Sequence, residues 1–120
     1  MKKLFLMSTL FVAIAFLFGC GKYNLEDAKA TLEEEGYVVL MVTEDQLAEY
    51  QDEDDTITGG LTAQKLLNNI TILTFKSAKD AKAYAEEAKK ESNPLVTIYV
   101  EVSGNAVIAG TNEAMVKELK

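Results

Sequence analysis

The stretch LVTIYVEVSGNAVIAG, residues 95–110, constrains the fold more than any other part of the chain. Val96, Ile98, Val100 and Val102 alternate with Thr97, Tyr99 and Glu101, the period of two that defines a strand with different surroundings on its two faces. Gly104-Asn105 is a tight-turn signal, and residues 106–110 are apolar again, so the chain must turn back on itself as an antiparallel hairpin. The polar side of the first strand is expected to be partly solvated. Thr97 and Tyr99 on it could belong to a partner-binding face or be ordinary surface residues.

The rest of the chain supplies helices and further strands in alternation. Asn24 and Asp27 signal a helix start, Leu25, Ala28 and Leu32 form its apolar stripe, and Gly36 ends it as a left-handed cap. Residues 37–43, YVVLMVT, are too short for a helix and read as a strand buried on both faces, hence central. Thr43 with Gln46 forms a capping box for a short helix through Tyr50, and the polar residues 51–60 read as an exposed acidic loop. Residues 61–67 fit a strand or a helical turn. Asn68-Asn69 favours a hairpin turn there because Asn tolerates positive φ, and residues 70–75 form the return strand. Ser77 with Asp80 opens a helix whose stripe is Ala78, Ala81, Tyr84, Ala85 and Ala88, stopped by Asn93-Pro94. Met115, Val116 and Leu119 line a last short helix. The expected fold is α+β, a mostly antiparallel four- to five-stranded sheet with helices packed on one face. DAKATLEE from Asp27 and DAKAYAEE from Asp80 share six of eight residues at an offset of 53. Either two helix-strand-strand units arose by duplication, or the match reflects the common composition of surface helices.

The N-terminus has a different character. Lys2 and Lys3 precede the weakly polar to apolar run 4–18, then Gly19 and the chain's single cysteine, Cys20. The run is shorter than the roughly 20 residues that a membrane-spanning helix needs, and its charged start fits an export signal over residues 1–19. Leu17-Phe18-Gly19-Cys20 resembles the lipobox of bacterial lipoproteins, with Phe18 where that motif usually has a small or short-branched residue. The resemblance implies cleavage before Cys20 and diacylation of its sulfur. Two acyl chains give stable anchoring where one is marginal. An uncleaved anchor and a secreted protein with a free thiol are the other readings. A lone cysteine forms no internal disulfide, so the fold must hold without one. LEDAKATLEEEGY from Leu25, ITILTFKSAKDAKAYAEEAK from Ile70 and SGNAVIAGTNEAM from Ser103 also resemble a group of small uncharacterised lipoproteins of low-GC Gram-positive bacteria, which implies the location and fold and no activity.

The expected organisation is therefore residues 1–19 as signal peptide, 20–23 as lipidated N-terminus and short tether, and 24–120 as one domain. Without Lys2 and Lys3, 10 of the 12 basic residues remain against 19 carboxylates, a formal charge of −9. Nucleic acid is not expected as a partner, because its phosphates need a basic patch free of carboxylates. The chain has no His, Arg or Trp, which removes the usual zinc ligands, the base of nucleophilic triads and bidentate capture of anions. A carboxylate-pair glycosidase has the residue types but no aromatic-rich cleft sequence. In the acidic segment, Asp52, Asp54, Thr56 and Thr58 alternate as ligands do in an EF-hand loop, yet Ile57 stands at its glycine position and Ala63 at its terminal glutamate position. Glycines 59, 60, 104 and 110 lack phosphate-loop spacing and read as turn residues. The expectation is a monomeric, non-enzymatic, extracytoplasmic lipoprotein without cofactor, held to the membrane through Cys20 and binding an envelope partner. The alternative is a small-ligand or divalent-cation module built on residues 52–58.

Overall fold

The structure, a computed structural model, describes residues 22–90 and 95–120. The segments expected to be an export signal and a lipobox, with Cys20, lie outside these residues, as does the expected Asn93-Pro94 stop. No helix among the described residues is long and apolar enough to cross a membrane.

Local signals set most element boundaries. Helix α1, Leu25–Glu34, begins where the Asn24 side chain accepts a hydrogen bond from the Asp27 N–H at 3.1 Å, and the chain leaves it through Gly36 at φ 94. Helix α2, Glu44–Glu53, has the full capping box: Thr43 Oγ1 accepts from Gln46 N–H, and Gln46 Oε1 accepts from Thr43 N–H. Ser77 Oγ accepts from Asp80 N–H ahead of α3, Ala78–Lys90, and Asn112 caps α4, Glu113–Leu119.

The strands are β1 Val38–Met41, β2 Ile57–Lys65, β3 Asn68–Phe75, β4 Tyr99–Ser103 and β5 Ala106–Gly110. They form one antiparallel sheet in the order β1-β2-β3-β5-β4, so the fold is α+β as expected. Because successive side chains on a strand point to opposite faces, Ile70 and Ile72 enter one cluster and Leu73 and Phe75 another. The first cluster is closed by Ala28 and Leu32 of α1 and by Met115, Val116 and Leu119 of α4. The second is closed by Ala81 and Ala85 of α3 and by Leu47 and Tyr50 of α2, with Phe75 and Tyr84 in tilted ring contact at 5.1 Å. The helices thus divide between the two faces, where the sequence suggested one. The repeated motif buries equivalent positions in its two copies, Ala28 and Leu32 against Ala81 and Ala85. A half-turn about β3 exchanges the order α1-β1-β2 for α3-β4-β5.

Four further local expectations are corrected. Residues 37–43 do not form a central strand: β1 is an edge strand, with Val38 68% and Leu40 67% exposed. Residues 51–60 are not one loop, since α2 continues to Glu53 and β2 begins at Ile57. The β2–β3 turn is Leu66-Leu67, not Asn68-Asn69. A turn two residues later would set Lys65 opposite Ile72, whereas the observed register pairs Leu61 with Ile72 and Ala63 with Ile70 inside the core. The Asn68 and Asn69 groups instead engage Thr111: Asn69 O accepts the Thr111 N–H at 3.0 Å, and Asn69 N–H donates to Thr111 Oγ1 at 3.0 Å. Finally, Gly60 and Gly110 are strand residues. A Cβ on Gly60 would stand 2.4 Å from Ile72 O, and one on Gly110 would stand 2.6 Å from Asn69 O, so neighbouring strands require both.

Candidate functional site

Strand register gives the domain two ends. At the end nearest the first described residues, called proximal, lie Phe75, the β4–β5 turn at Gly104-Asn105, and Tyr23. Tyr23 N–H donates to Asn105 Oδ1 at 2.6 Å, Asn105 Nδ2 donates to Phe75 O at 2.7 Å, and Tyr23 Oη donates to Leu119 O at 2.6 Å. Burial, with the Asp27 charge as a smaller contribution, pushes the Tyr23 phenol up to about 12. The chain therefore enters the domain at a latched point. At the distal end, about 23 Å away along the eight residues of β3 at some 3.3 Å each, lie Lys65, the Leu66-Leu67 turn, Gly110 and the start of β4.

The exposed large apolar residues sit in the distal half. Leu66 and Leu67 are 86% and 91% exposed at the hairpin tip. Leu95, Val96 and Ile98 precede β4 at the same end. Leu66 also has φ 56, a left-handed conformation that costs a residue with a branched side chain roughly 1–2 kcal/mol. Packing accounts for the register, but burial against the described residues does not account for leucine, as against Asn or Gly, at this largely exposed position. Beside the tip, Lys65 Nζ donates to Glu35 O at 2.6 Å and stands 5.8 Å from the centroid of the Tyr37 ring. Burial raises the Tyr37 phenol, a hydrogen bond with the Asn112 side chain opposes the shift, and the Glu35 charge adds to it.

Next to this tip the second face of the sheet is open. One groove of about 310 Å³ is lined by Val38, Leu40, Thr62, Gln64 and Thr71 among others, and another of about 310 Å³ by Leu40, Thr62, Val42, Gln46, Glu49, Tyr50 and Glu53. Leu40 and Thr62 belong to both, so the two run together along β1 from α2 to the hairpin. Val42 N–H donates to Gly60 O at 2.9 Å, one step beyond the Met41–Leu61 pair. Antiparallel alternation then turns Val38 and Leu40 backbone groups toward β2 and those of Val39 and Met41 toward the open edge. β1 contains no charge, proline or bulge of the kind that usually blunts an edge; its protection is its length of four residues.

The residues singled out in the acidic segment do not converge. Asp52 is in the last turn of α2, Asp54 Oδ1 accepts from the N–H of Thr56 at 3.0 Å and from its hydroxyl at 2.5 Å, and Thr58 Oγ1 is hydrogen-bonded to Thr74 Oγ1 at 2.9 Å. Among the described residues no group of three or more carboxylates is arranged to hold a metal ion. Tyr99 packs half-buried against the first cluster, and its neighbour Glu101 pairs with Lys120 at 3.1 Å, so the polar-looking side of β4 lies largely against the domain itself, while Thr97 stays exposed before it. Sequence reasoning missed the β1 edge and the leucine tip; an apolar pair at a two-residue loop was the available signal. No family model matches the chain, and neither a curated protein nor a solved structure matches it.

Proposed function

We propose that this protein is a membrane-anchored extracytoplasmic lipoprotein that works by binding a protein partner through its distal end and not by catalysis. Cys20 carries the lipid in this reading, three residues before the latched Tyr23. Three residues reach about 10 Å, which keeps the proximal end near the bilayer and turns the leucine tip away from it. The observation that carries the reading is the gathering of exposed apolar residues at the end opposite the tether, with leucine held in an unfavourable conformation at its tip. Exposed apolar clusters of this kind mark interaction sites, and backbone strain that packing does not need points the same way.

Two experiments test it. Replacing Leu67 with a photocrosslinking residue in cells should capture a discrete protein, while the same residue at Lys76, at the proximal end, should not; equal or absent capture at both counts against the distal surface. Cys20→Ser should release the protein from the membrane fraction or leave it unprocessed, and unchanged membrane-bound, acylated protein would overturn the anchor.

A further inference from the structure

We propose that the β1 edge and the acidic helix α2 together form a receptor for an extended segment of a partner protein, one that adds to the sheet as a sixth strand and carries, on the face it shares with Val38 and Leu40, apolar side chains followed by basic ones. The inference rests on the reading of the molecule as a protein-binding module, and it names the chemistry of what is bound.

Three observations converge on it. The outward backbone groups of Val39 and Met41 offer a hydrogen-bonding ladder to an incoming strand. The side chains of Val38 and Leu40, both about two-thirds exposed, provide an apolar floor onto which alternate residues of that strand would fall. The wall at one end of that floor is α2, EDQLAEYQDE, with five carboxylates and no lysine; Glu49 and Glu53 line the groove itself.

Charge decides between occupants. A second copy of this chain paired through β1 would bring a second α2, with five more carboxylates, to the same assembly and would add to an excess of negative charge already present in the whole chain. A strand with Lys or Arg at the α2 end of that face meets the opposite field, and like charges at an interface reject the wrong partner as much as unlike charges steer the right one. Leu40 lies where the two grooves meet, so an apolar residue of the bound segment sits there, and a basic residue two positions further along, on the same face of the strand, lies toward Glu49 and Glu53.

The test uses the full-length protein in detergent micelles and three heptapeptides with threonine at every second position: a valine-lysine peptide, Lys-Thr-Val-Thr-Val-Thr-Lys, whose valines and lysines share one face in either strand direction, a valine-glutamate peptide with glutamate for both lysines, and the valine-lysine peptide with its central threonine replaced by proline, which cannot pair as a strand. The valine-lysine peptide is expected to bind and to slow hydrogen exchange at the Val39 and Met41 amides, with the other two doing neither. E49K/E53K, at two exposed helix positions where lysine is as good a helix former as glutamate, should weaken that peptide about tenfold and favour the valine-glutamate peptide. Binding that ignores peptide charge, binding without protection of those two amides, or protection that arises from dimers in the absence of peptide would each overturn the proposal. Crosslinks from Leu67 in cells without amide protection by any peptide would sink the strand receptor and leave the distal binding surface standing. Peptide binding with no partner captured in cells would do the reverse.

Discussion

The two faces of the sheet use similar strand residues and are finished differently. Under α1 and α4, the inward side chains of β2, β3 and β5 are almost wholly buried, and even the edge residues Val39 and Met41 pack against the cluster. On the other face, α3 and α2 cover Ile57, Leu73, Phe75 and Val107 and stop there, leaving Val38 and Leu40 of β1 in water. Full burial of a valine or leucine contributes about 1.5–3 kcal/mol, so leaving Val38 and Leu40 in water forgoes a real share of stability. Both faces therefore carry a buried cluster, and the contrast is confined to β1, whose side chains are packed on the first face and exposed on the second.

The sharpest way to break this comparison is to make the same kind of truncation on both faces. Ile72→Ala, at a fully buried position of the closed face, should cost about 2–5 kcal/mol in chemical denaturation, and Leu40→Ala on the open face less than about 0.5 kcal/mol. Comparable losses at the two sites would mean that the open face is structural. Gly60→Ala comes next, at about 1–3 kcal/mol, because its Cβ meets a backbone oxygen that cannot easily move.

The latch at the proximal end predicts a pH dependence. Tyr23 is held neutral in the fold, with its pKa raised from 10.0 to about 12. The stability it contributes is fully present below pH 10 and is lost as pH rises through about 12. Tyr23→Phe should flatten that slope in alkaline denaturation, while giving up a hydrogen bond to Leu119 O worth about 0.5–1.5 kcal/mol at neutral pH; a slope unchanged by the variant would remove Tyr23 from the account. At the tip, Leu66→Asn should raise stability by up to about 1 kcal/mol, since Asn accepts left-handed φ more readily, and should reduce crosslinking from position 67. A stabilised variant that keeps its partner would show that the leucine tip is dispensable. The smallest effect expected is none at all: millimolar Ca²⁺ should leave the melting temperature unchanged, because Asp54 and Thr58 are already engaged by Thr56 and Thr74.

The legible parts of the fold share one property, which is that their causes are local. The caps at Asn24, Thr43 and Ser77, the left-handed exits at Gly36 and Gly104, and the alternation through β4 each depend on residues within a few positions of one another. The misreadings have distant causes. The Asn68-Asn69 pair has good turn chemistry, yet Ile70 and Ile72 must meet Ala63 and Leu61, and Thr111, more than forty positions away, takes the asparagine backbone. The run 37–43 is apolar enough for a central strand, but whether both of its sides are covered depends on where α2 and α3 come to rest. The acidic segment looked continuous because charge is visible in sequence, while the cross-strand Thr58–Thr74 bond that begins β2 is not.

By itself the sequence determined the helix starts and their caps, the Gly104-Asn105 hairpin and the excess of negative charge, because backbone propensity, capping and alternation act over a turn or a pair of residues. Only the tertiary structure decided which strand became the edge, which face stayed open and which end carries the leucines. Those outcomes depend on how much apolar surface the four described helices can cover, and that is a property of the whole packing arrangement.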